Sequence, residues 1–204
     1  MSESALYQNI SLSARLLGAL FYYPPSGEQC TTLVSALSSL DWRNEWPYGT
    51  DEELNSIAAL IRTASAEPLD EAYQRLFIGP YALPAPPWGS VYLDKENVLF
   101  GDSTLALREW MSERRIDVLL RQNEPEDHFG LMMMMAAWLA ELQPEELAEF
   151  LEIHLLPWAF RYLELMEQGA EHPFYQGIAR LATLALRGWQ QTLDLDVPPR
   201  ELFR

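Results

Sequence analysis

The stretch that decides the fold reads PEDHFGLMMMMAAWLAEL and spans residues 125–142. Pro125 suits the first turn of a helix, and Glu126 and Asp127 would then lie where the helix dipole is positive. The sequence therefore predicts that the most apolar helix of the chain runs over this stretch. Its longest uncharged apolar run, residues 131–140, is well short of the roughly 18–20 residues that cross a bilayer, so it does not predict a transmembrane helix.

Helical periodicity continues on both sides of this stretch. Leu12, Leu16 and Leu20 fall on one face of a first helix, which Pro24-Pro25 would end. Further helix starts are indicated by a capping box, a capping side chain or a proline suited to the first turn: Thr50 with Glu53, Asp102 or Ser103, Pro68, Pro144, Pro157 and Pro173. No series of alternating residues between hairpin turns indicates strands. We therefore predict an all-α fold, a single globular helical bundle over residues 1–204.

Residues 78–92, IGPYALPAPPWGSVY, interrupt the helical pattern. Prolines remove backbone donors and fix φ, so we expect an ordered, non-helical connection between an N-terminal helical part (about 1–77) and a C-terminal helical part (93–204). A long loop in a compact domain is often functional, and a rigid cover over the core is the equal alternative. We expect a monomer, with a domain-swapped dimer as the alternative if the connection serves as a hinge.

The charge balance restricts the classes of partner. Lys and Arg number 14 against 30 Asp and Glu, which gives a net charge of −16. This disfavours nucleic acid and anionic membrane surfaces, which are bound largely through Lys and Arg, and a basic ligand is the natural complement. The alternative is that acidity serves solubility alone. Cys30 is the single cysteine, and the N-terminal residues lack the basic region of a secretory signal, so we expect a cytoplasmic protein.

Residues 124–128, EPEDH, concentrate three carboxylates and an imidazole. Carboxylates are strong acceptors for guanidinium groups, so Glu124, Glu126 and Asp127 are candidates for capturing a cation. The alternative is that acids in a first turn only complement the helix dipole. As a metal site the cluster is weak because no second histidine recurs at helical spacing near His128, and no nucleophile motif accompanies it. A small metal-dependent hydrolase or a regulatory adaptor that uses this cluster is the alternative function.

Four consecutive methionines, residues 132–135, follow this cluster on the same predicted helix. They occupy every face of the helix, and methionine adapts to irregular gaps, so most of them are expected to fill the core. The functional alternative is a plastic apolar surface for varied peptides.

Several motifs together resemble the signature of the TorD/DmsD family of redox-enzyme maturation proteins, and its DmsD branch in particular. They are YQRLFIGP at residues 73–80, PPWGSVYLD at 86–94, VLFGD at 98–102, EPEDH at 124–128 and HLLPW at 154–158. The resemblance extends over nearly the whole chain. Tyr73 and Tyr81 stand where close relatives carry Trp, which keeps an aromatic face but changes the shape of a pocket.

The resemblance implies an all-helical chaperone without catalytic activity and without a cofactor of its own. It implies binding of the twin-arginine signal peptide on the precursor of a molybdoenzyme catalytic subunit, of the dimethyl sulfoxide reductase type, with Tat translocase components as further candidate partners. Export would be held back until the molybdenum cofactor is inserted. The peptide-binding residues that follow from the matching motifs and the acidic cluster are Tyr73, Leu76, Phe77, Tyr81, Trp88, Gly101, Glu124, Pro125, Glu126, Asp127 and His128.

Overall fold

The structure is a computed structural model that describes residues 3–39, 41–117 and 124–204. Its α-helices are α1 (Glu3–Tyr22), α2 (Thr31–Ser38), α3 (Asp51–Arg62), α4 (Leu69–Tyr73), α5 (Ser90–Leu93), α6 (Asp102–Glu113), α7 (Phe129–Leu142), α8 (Pro144–Phe150), α9 (Leu156–Gly169) and α10 (Pro173–Thr192). A 3₁₀ turn covers Asp41–Asn44, and π-helical turns extend α4 over Gln74–Ile78 and join α8 to α9 over Leu151–Leu155. Within the described ranges no strand forms, and the all-α prediction is confirmed.

The most extensive helix packing joins α1 to α7. The two helices approach closely because glycines face each other: a Cβ on Gly18 would lie 2.9 Å from the carbonyl oxygen of Gly130. The predicted role of the methionines as core filler holds for most of them, since Met132, Met133 and Met135 are buried. Met134 is half-buried, and its Cγ would lie 2.7 Å from that same Cβ on Gly18.

Helix α10 packs against α3, α9 and α1, so helices from both predicted parts of the chain share one core. That core is rich in fully buried aromatic side chains, among them Trp158, Trp189 and Tyr162. The predicted capping box at α3 is present, because the Thr50 hydroxyl accepts from Glu53 N and the Glu53 carboxylate accepts from Thr50 N. Along the parts of the chain described above, no helix is both long and apolar enough to cross a membrane.

Two predicted boundaries differ from the structure. The most apolar helix, α7, begins at Phe129 and not at Pro125, because residues 125–128 are held against the proline-rich connection. That connection is non-helical only from Gly79 to Gly89: the π-helical turn ends at Ile78, and α5 begins at Ser90. The four prolines all lie between these two points, so backbone donors that can sustain a helical turn return after Pro87.

Candidate functional site

The predicted acidic cluster lies beside the proline-rich connection. Residues 124–128 form what we call the EPEDH segment, and an isolated antiparallel bridge pairs its His128 with Trp88 of the connection. Phe129 N donates to Pro87 O at 2.7 Å, and Gly89 N donates to Asp127 O at 3.1 Å. In a helix that began at Pro125, Phe129 N would donate to Pro125 O; here it donates to the connection instead, so the regular helix starts only at Phe129.

Asp127 is buried and ties three parts of the chain together. Its Oδ2 accepts from Ser90 N at 2.7 Å and from the Thr104 hydroxyl at 3.0 Å, and the residue is 3% exposed. Burial raises the pKa of the Asp127 carboxyl, and the hydrogen bonds from Ser90 and Thr104 oppose that rise. The carboxylate therefore joins the starts of α5 and α6 to the EPEDH segment, which its sequence position in a helical first turn did not predict.

His128 is the N-cap of α7. Its Nδ1 accepts from Gly130 N at 3.1 Å, while its ring stands edge-on to Tyr22 and Trp88, with centroids 5.2 and 6.0 Å apart. Burial lowers the pKa of His128 to about 3, so the imidazole is neutral at physiological pH. A neutral ring whose Nδ1 is occupied by a backbone donor acts as a structural cap here.

The two glutamates of the EPEDH segment are nearer the surface. Trp88 Nε1 donates to Glu124 Oε1 at 2.5 Å, and desolvation raises the pKa of Glu124. Glu126 forms an ion pair of 2.7 Å with Arg108 of α6. Between them Pro125 is buried, and its carbonyl accepts from His128 N at 3.1 Å.

Gly101 is needed for space at the start of α6. The Asp94 carboxylate accepts from Ser103 N and from the Ser103 hydroxyl, at 3.2 and 2.8 Å, and so caps this helix. A Cβ on Gly101 would lie 2.1 Å from Asp94 Oδ2. The predicted caps, Asp102 or Ser103, are therefore wrong, because a carboxylate from an earlier turn takes that role.

The predicted aromatic residues fall into two environments. Tyr73, Leu76 and Phe77 are core side chains, and the Tyr73 hydroxyl donates to Tyr22 O at 2.6 Å. Tyr22 thereby connects this group to His128, which its ring contacts. Tyr81, by contrast, is 83% exposed on the connection. The buried group of Tyr73, Leu76 and Phe77 thus reaches the EPEDH segment through Tyr22. Trp88 lies half-buried against that segment.

A cavity of about 260 Å³ opens beside the EPEDH segment. Its charged and polar lining comes from the end of α5, the start of α6, the EPEDH segment, the turn before α9 and the end of the chain: Asp94, Asp102, Ser103, Asp127, His154 and Arg200. Burial lowers the pKa of His154 to about 4, so this ring is neutral as well. Three carboxylates against one guanidinium make the cavity acidic and suited to a cationic group.

The sequence singled out only part of this arrangement. Asp94, Asp102 and His154 lie inside matched motifs, but nothing in their spacing indicates a shared cavity. No sequence pattern indicates Arg200 as a cavity residue, because its position depends on the path of the chain after α10. Among the residues the structure describes, no group of three or more His, Cys, Asp or Glu side chains is placed to hold a metal ion.

The chain is similar to a protein family, to named proteins and to a solved structure. Residues 43–164 match the family model described as nitrate reductase delta subunit. The Tat proofreading chaperone DmsD of Salmonella typhimurium is 52% identical over 96% of each chain. The probable Tat proofreading chaperone DmsD of Haemophilus influenzae is 44% identical over 97% of this chain and 98% of the relative. A solved structure, a putative redox enzyme maturation protein from Archaeoglobus fulgidus, is similar in fold, with a TM-score of 0.52, coverage of 95% and 94%, and 18% identity.

Proposed function

We propose, from the premise that the chain belongs to the TorD/DmsD family of redox-enzyme maturation proteins, that it is a chaperone for the twin-arginine signal peptide of a molybdoenzyme precursor. It binds the leader of the catalytic subunit, of the dimethyl sulfoxide reductase type, and supports cofactor loading before Tat export. The protein is a chaperone and not an enzyme, and the cytoplasm is the compartment in which it would meet an unexported precursor.

One observation in the structure carries this proposal. The cavity of about 260 Å³ is lined by Asp94, Asp102 and Asp127 in a chain of net charge −16. A signal peptide with paired arginines offers the opposite charge, and guanidinium groups bind carboxylates through two parallel hydrogen bonds. The net charge also draws a cationic peptide toward the protein at long range, which favours rapid association.

We assign two kinds of role to the predicted peptide-binding residues. Contact with the peptide falls to residues that are accessible: Tyr81, Trp88, Gly101, Glu124 and Glu126. Support of the surface falls to those that are buried: Tyr73, Leu76, Phe77, Pro125 and His128. Asp127 has both roles, because it is buried and its carboxylate also lines the cavity. The buried aromatic group therefore fixes the position of the EPEDH segment and of Trp88, rather than forming an apolar cleft of its own.

Calorimetric titration with synthetic signal peptides tests the proposal. An Arg-Arg peptide should bind, and Lys-Lys and Ala-Ala versions should bind about tenfold more weakly or not at all, because lysine lacks the bidentate geometry. Asp102→Ala should weaken binding of the Arg-Arg peptide about threefold to tenfold. Its matched control is Glu109→Ala, which removes an exposed carboxylate from the same helix outside the cavity. Equal affinity for all three peptides would contradict the proposal.

The alternative functions draw no support from the relatives, which are named chaperones. A hydrolase using His128 would require a basic, accessible imidazole, whereas this ring is buried, its pKa is lowered to about 3, and Gly130 N occupies its Nδ1. Tat translocase components as further partners, and a monomer rather than a domain-swapped dimer, stay predictions. Size-exclusion chromatography with light scattering tests the oligomeric state directly.

A further inference from the structure

The last residues of the chain cross the face that holds the cavity. Residues 195–204, which we call the C-terminal strap, follow α10 without regular secondary structure. Asp196 N donates to Glu152 Oε1 at 2.7 Å near the start of the strap, and Phe203 N donates to Tyr92 O at 2.9 Å near its end. These hydrogen bonds fix both ends of the strap on the body of the protein.

A second set of contacts holds the final residue. Arg204 Nη2 donates to Leu83 O at 3.1 Å, on the proline-rich connection. Arg161 of α9 donates through Nε to Arg204 O at 3.1 Å. The strap therefore ends on the connection, the same segment whose Trp88 contacts the EPEDH segment.

Between these anchors the strap places Arg200 in the lining of the acidic cavity, with Asp94, Asp102 and Asp127. Arg200 is exposed, so its guanidinium can leave the cavity without breaking a core contact. After the larger influence of burial, the positive charges of Arg114 and Arg200 also lower the pKa of His154, which lines the same cavity. A cation from the chain itself thus lies in the lining of a cavity that carries three carboxylates.

Two side chains that line the cavity carry buried polar atoms without a partner in the described part of the chain. Asp127 Oδ1 is buried and has no hydrogen-bond partner among the described residues, and the same is true of His154 Nε2. Both side chains line the cavity. An unpaired buried carboxylate oxygen is costly, and a guanidinium that reached it would supply both a donor and a compensating charge.

The strap has the same order of side chains as the proposed client. Its sequence from Arg200 to Phe203 reads RELF, a cation followed within three residues by two apolar side chains. A twin-arginine signal peptide likewise presents cations followed by an apolar segment. The half-buried Leu202 packs against the core, as an apolar residue of a bound peptide would.

We infer that the cavity beside the EPEDH segment is the subsite for one arginine side chain of the signal peptide, and that Arg200 occupies its mouth in the free protein. Binding of the client then requires the strap to move aside. This inference rests on the proposed function, because it assigns a regulatory contact to the same peptide site.

A tethered competitor lowers the apparent affinity for the client in a predictable way. A cation on a short tether is present at an effective concentration on the order of millimolar. If the strap leaves the cavity open for about one tenth of the time, the client binds about tenfold more weakly than it would to an open site. Removal of the competing guanidinium should therefore strengthen binding by about the same factor.

The first test compares two arginine variants by titration with the Arg-Arg signal peptide. Arg200→Ala should bind the peptide about tenfold more tightly than the wild type. Arg187→Ala, which removes an exposed arginine of α10 outside this cavity, should change the affinity by less than about twofold. The difference should persist at about 0.5 M salt, where a long-range effect of net charge is screened. An affinity of Arg200→Ala equal to or weaker than that of the wild type would overturn the inference.

The second test follows the strap itself by hydrogen exchange of the wild-type protein. The amide of Phe203 should exchange faster when the Arg-Arg peptide is bound, because its hydrogen bond to Tyr92 O would be released. The capping amide of Glu53 in α3, far from the strap in sequence, should be unchanged. Unaltered exchange at Phe203 in the saturated complex would show that the peptide binds with the strap in place, which contradicts the inference.

The two tests separate this inference from the proposed function. If the wild type binds the Arg-Arg peptide and Arg200→Ala gains nothing, only the role of the strap is wrong. If only Arg200→Ala binds it, the strap blocks the site more strongly than assumed, which supports the inference. If neither protein binds it, the proposed function and the inference fail together.

Discussion

Two helices of this protein begin with the same histidine N-cap in different surroundings. Helix α7 follows His128 and α10 follows His172, and in each case the histidine Nδ1 accepts from the backbone amide two residues later, at 3.1 and 3.2 Å. Both histidines have extended backbone conformations, and both are buried, at 5% exposure. The local hydrogen bond that starts the two helices is therefore the same.

The residues before the two caps differ. Asp127 is buried and bonded to Ser90 and Thr104, whereas Glu171 is exposed. Helix α10 belongs to the core, but it begins after an exposed residue, with Pro173 in its first turn and the His172 ring in contact with Glu67 O. Helix α7 begins where two other helix starts and the proline-rich connection meet. The comparison teaches that the same capping hydrogen bond can end a loop in one place and hold a junction of several segments, the proposed binding surface, in another.

Replacing the residue before each cap should give the largest difference in stability between the two helix starts. Asp127→Ala leaves Ser90 N and the Thr104 hydroxyl buried without their acceptor, so the free energy of unfolding should fall by about 3 kcal/mol. Glu171→Ala, the matched change before α10, should alter it by less than about 0.5 kcal/mol. Urea denaturation followed by circular dichroism measures both. Similar losses in the two variants would show that Asp127 has no special role at the junction.

The two capping histidines, His128 and His172, should also differ in how much stability they cost the protein as the pH falls. The pKa of His128 is about 3 in the folded protein and about 6.5 when unfolded, so the unfolded state takes up its proton first. The stability that the neutral ring contributes is present in full above pH 6.5 and is lost as the pH falls from there toward 3. Between pH 7 and pH 5 the loss should be about 2 kcal/mol.

Asparagine variants test this assignment, because asparagine also caps helices and does not titrate. Denaturation of His128→Asn at pH 7 and pH 5 should show a loss smaller than that of the wild type by about 2 kcal/mol. Burial lowers the pKa of His172 too, but its contact with Glu67 O opposes the shift, so His172→Asn should reduce the loss less. The raised pKa values of Asp127 and Glu124 act in the opposite direction. A pH profile of His128→Asn parallel to that of the wild type would contradict a buried neutral ring.

The sequence predicts the helix starts that depend on local contacts and misplaces the one that depends on long-range contacts. The α10 start was predicted from Pro173, and the α3 start from Thr50 and Glu53, because local bonds decide them. The sequence predicts the start of α7 at Pro125, four residues before its position in the structure, because the hydrogen bond from Phe129 N to Pro87 O joins segments that are distant in sequence. The members of the acidic cluster were identified, but their separation into the buried Asp127 and the surface glutamates depends on such long-range contacts. The cavity and the place of Arg200 in its lining also depend on long-range contacts, so the sequence does not predict them.

Glycines near the two helix starts should give the smallest difference. A Cβ on Gly130 would lie 2.9 Å from the carbonyl oxygen of Gly18 and 2.8 Å from Tyr22 Cβ, so the backbones of α1 and α7 would have to move apart. A Cβ on Gly177 would lie 2.6 Å from Ile61 Cγ1 but 3.4 Å or more from the nearest backbone atoms, so a side chain and not the opposing backbone would have to move first. Alanine improves helix propensity by about 1 kcal/mol at either position, while overpacking costs about 1–3 kcal/mol. Thermal unfolding should therefore show both variants destabilised, Gly130→Ala by about 2 kcal/mol and Gly177→Ala by about 1 kcal/mol. The reverse order would mean that the α1–α7 crossing adjusts more easily than the packing of α10, and that the junction at His128 is less rigid than its contacts indicate.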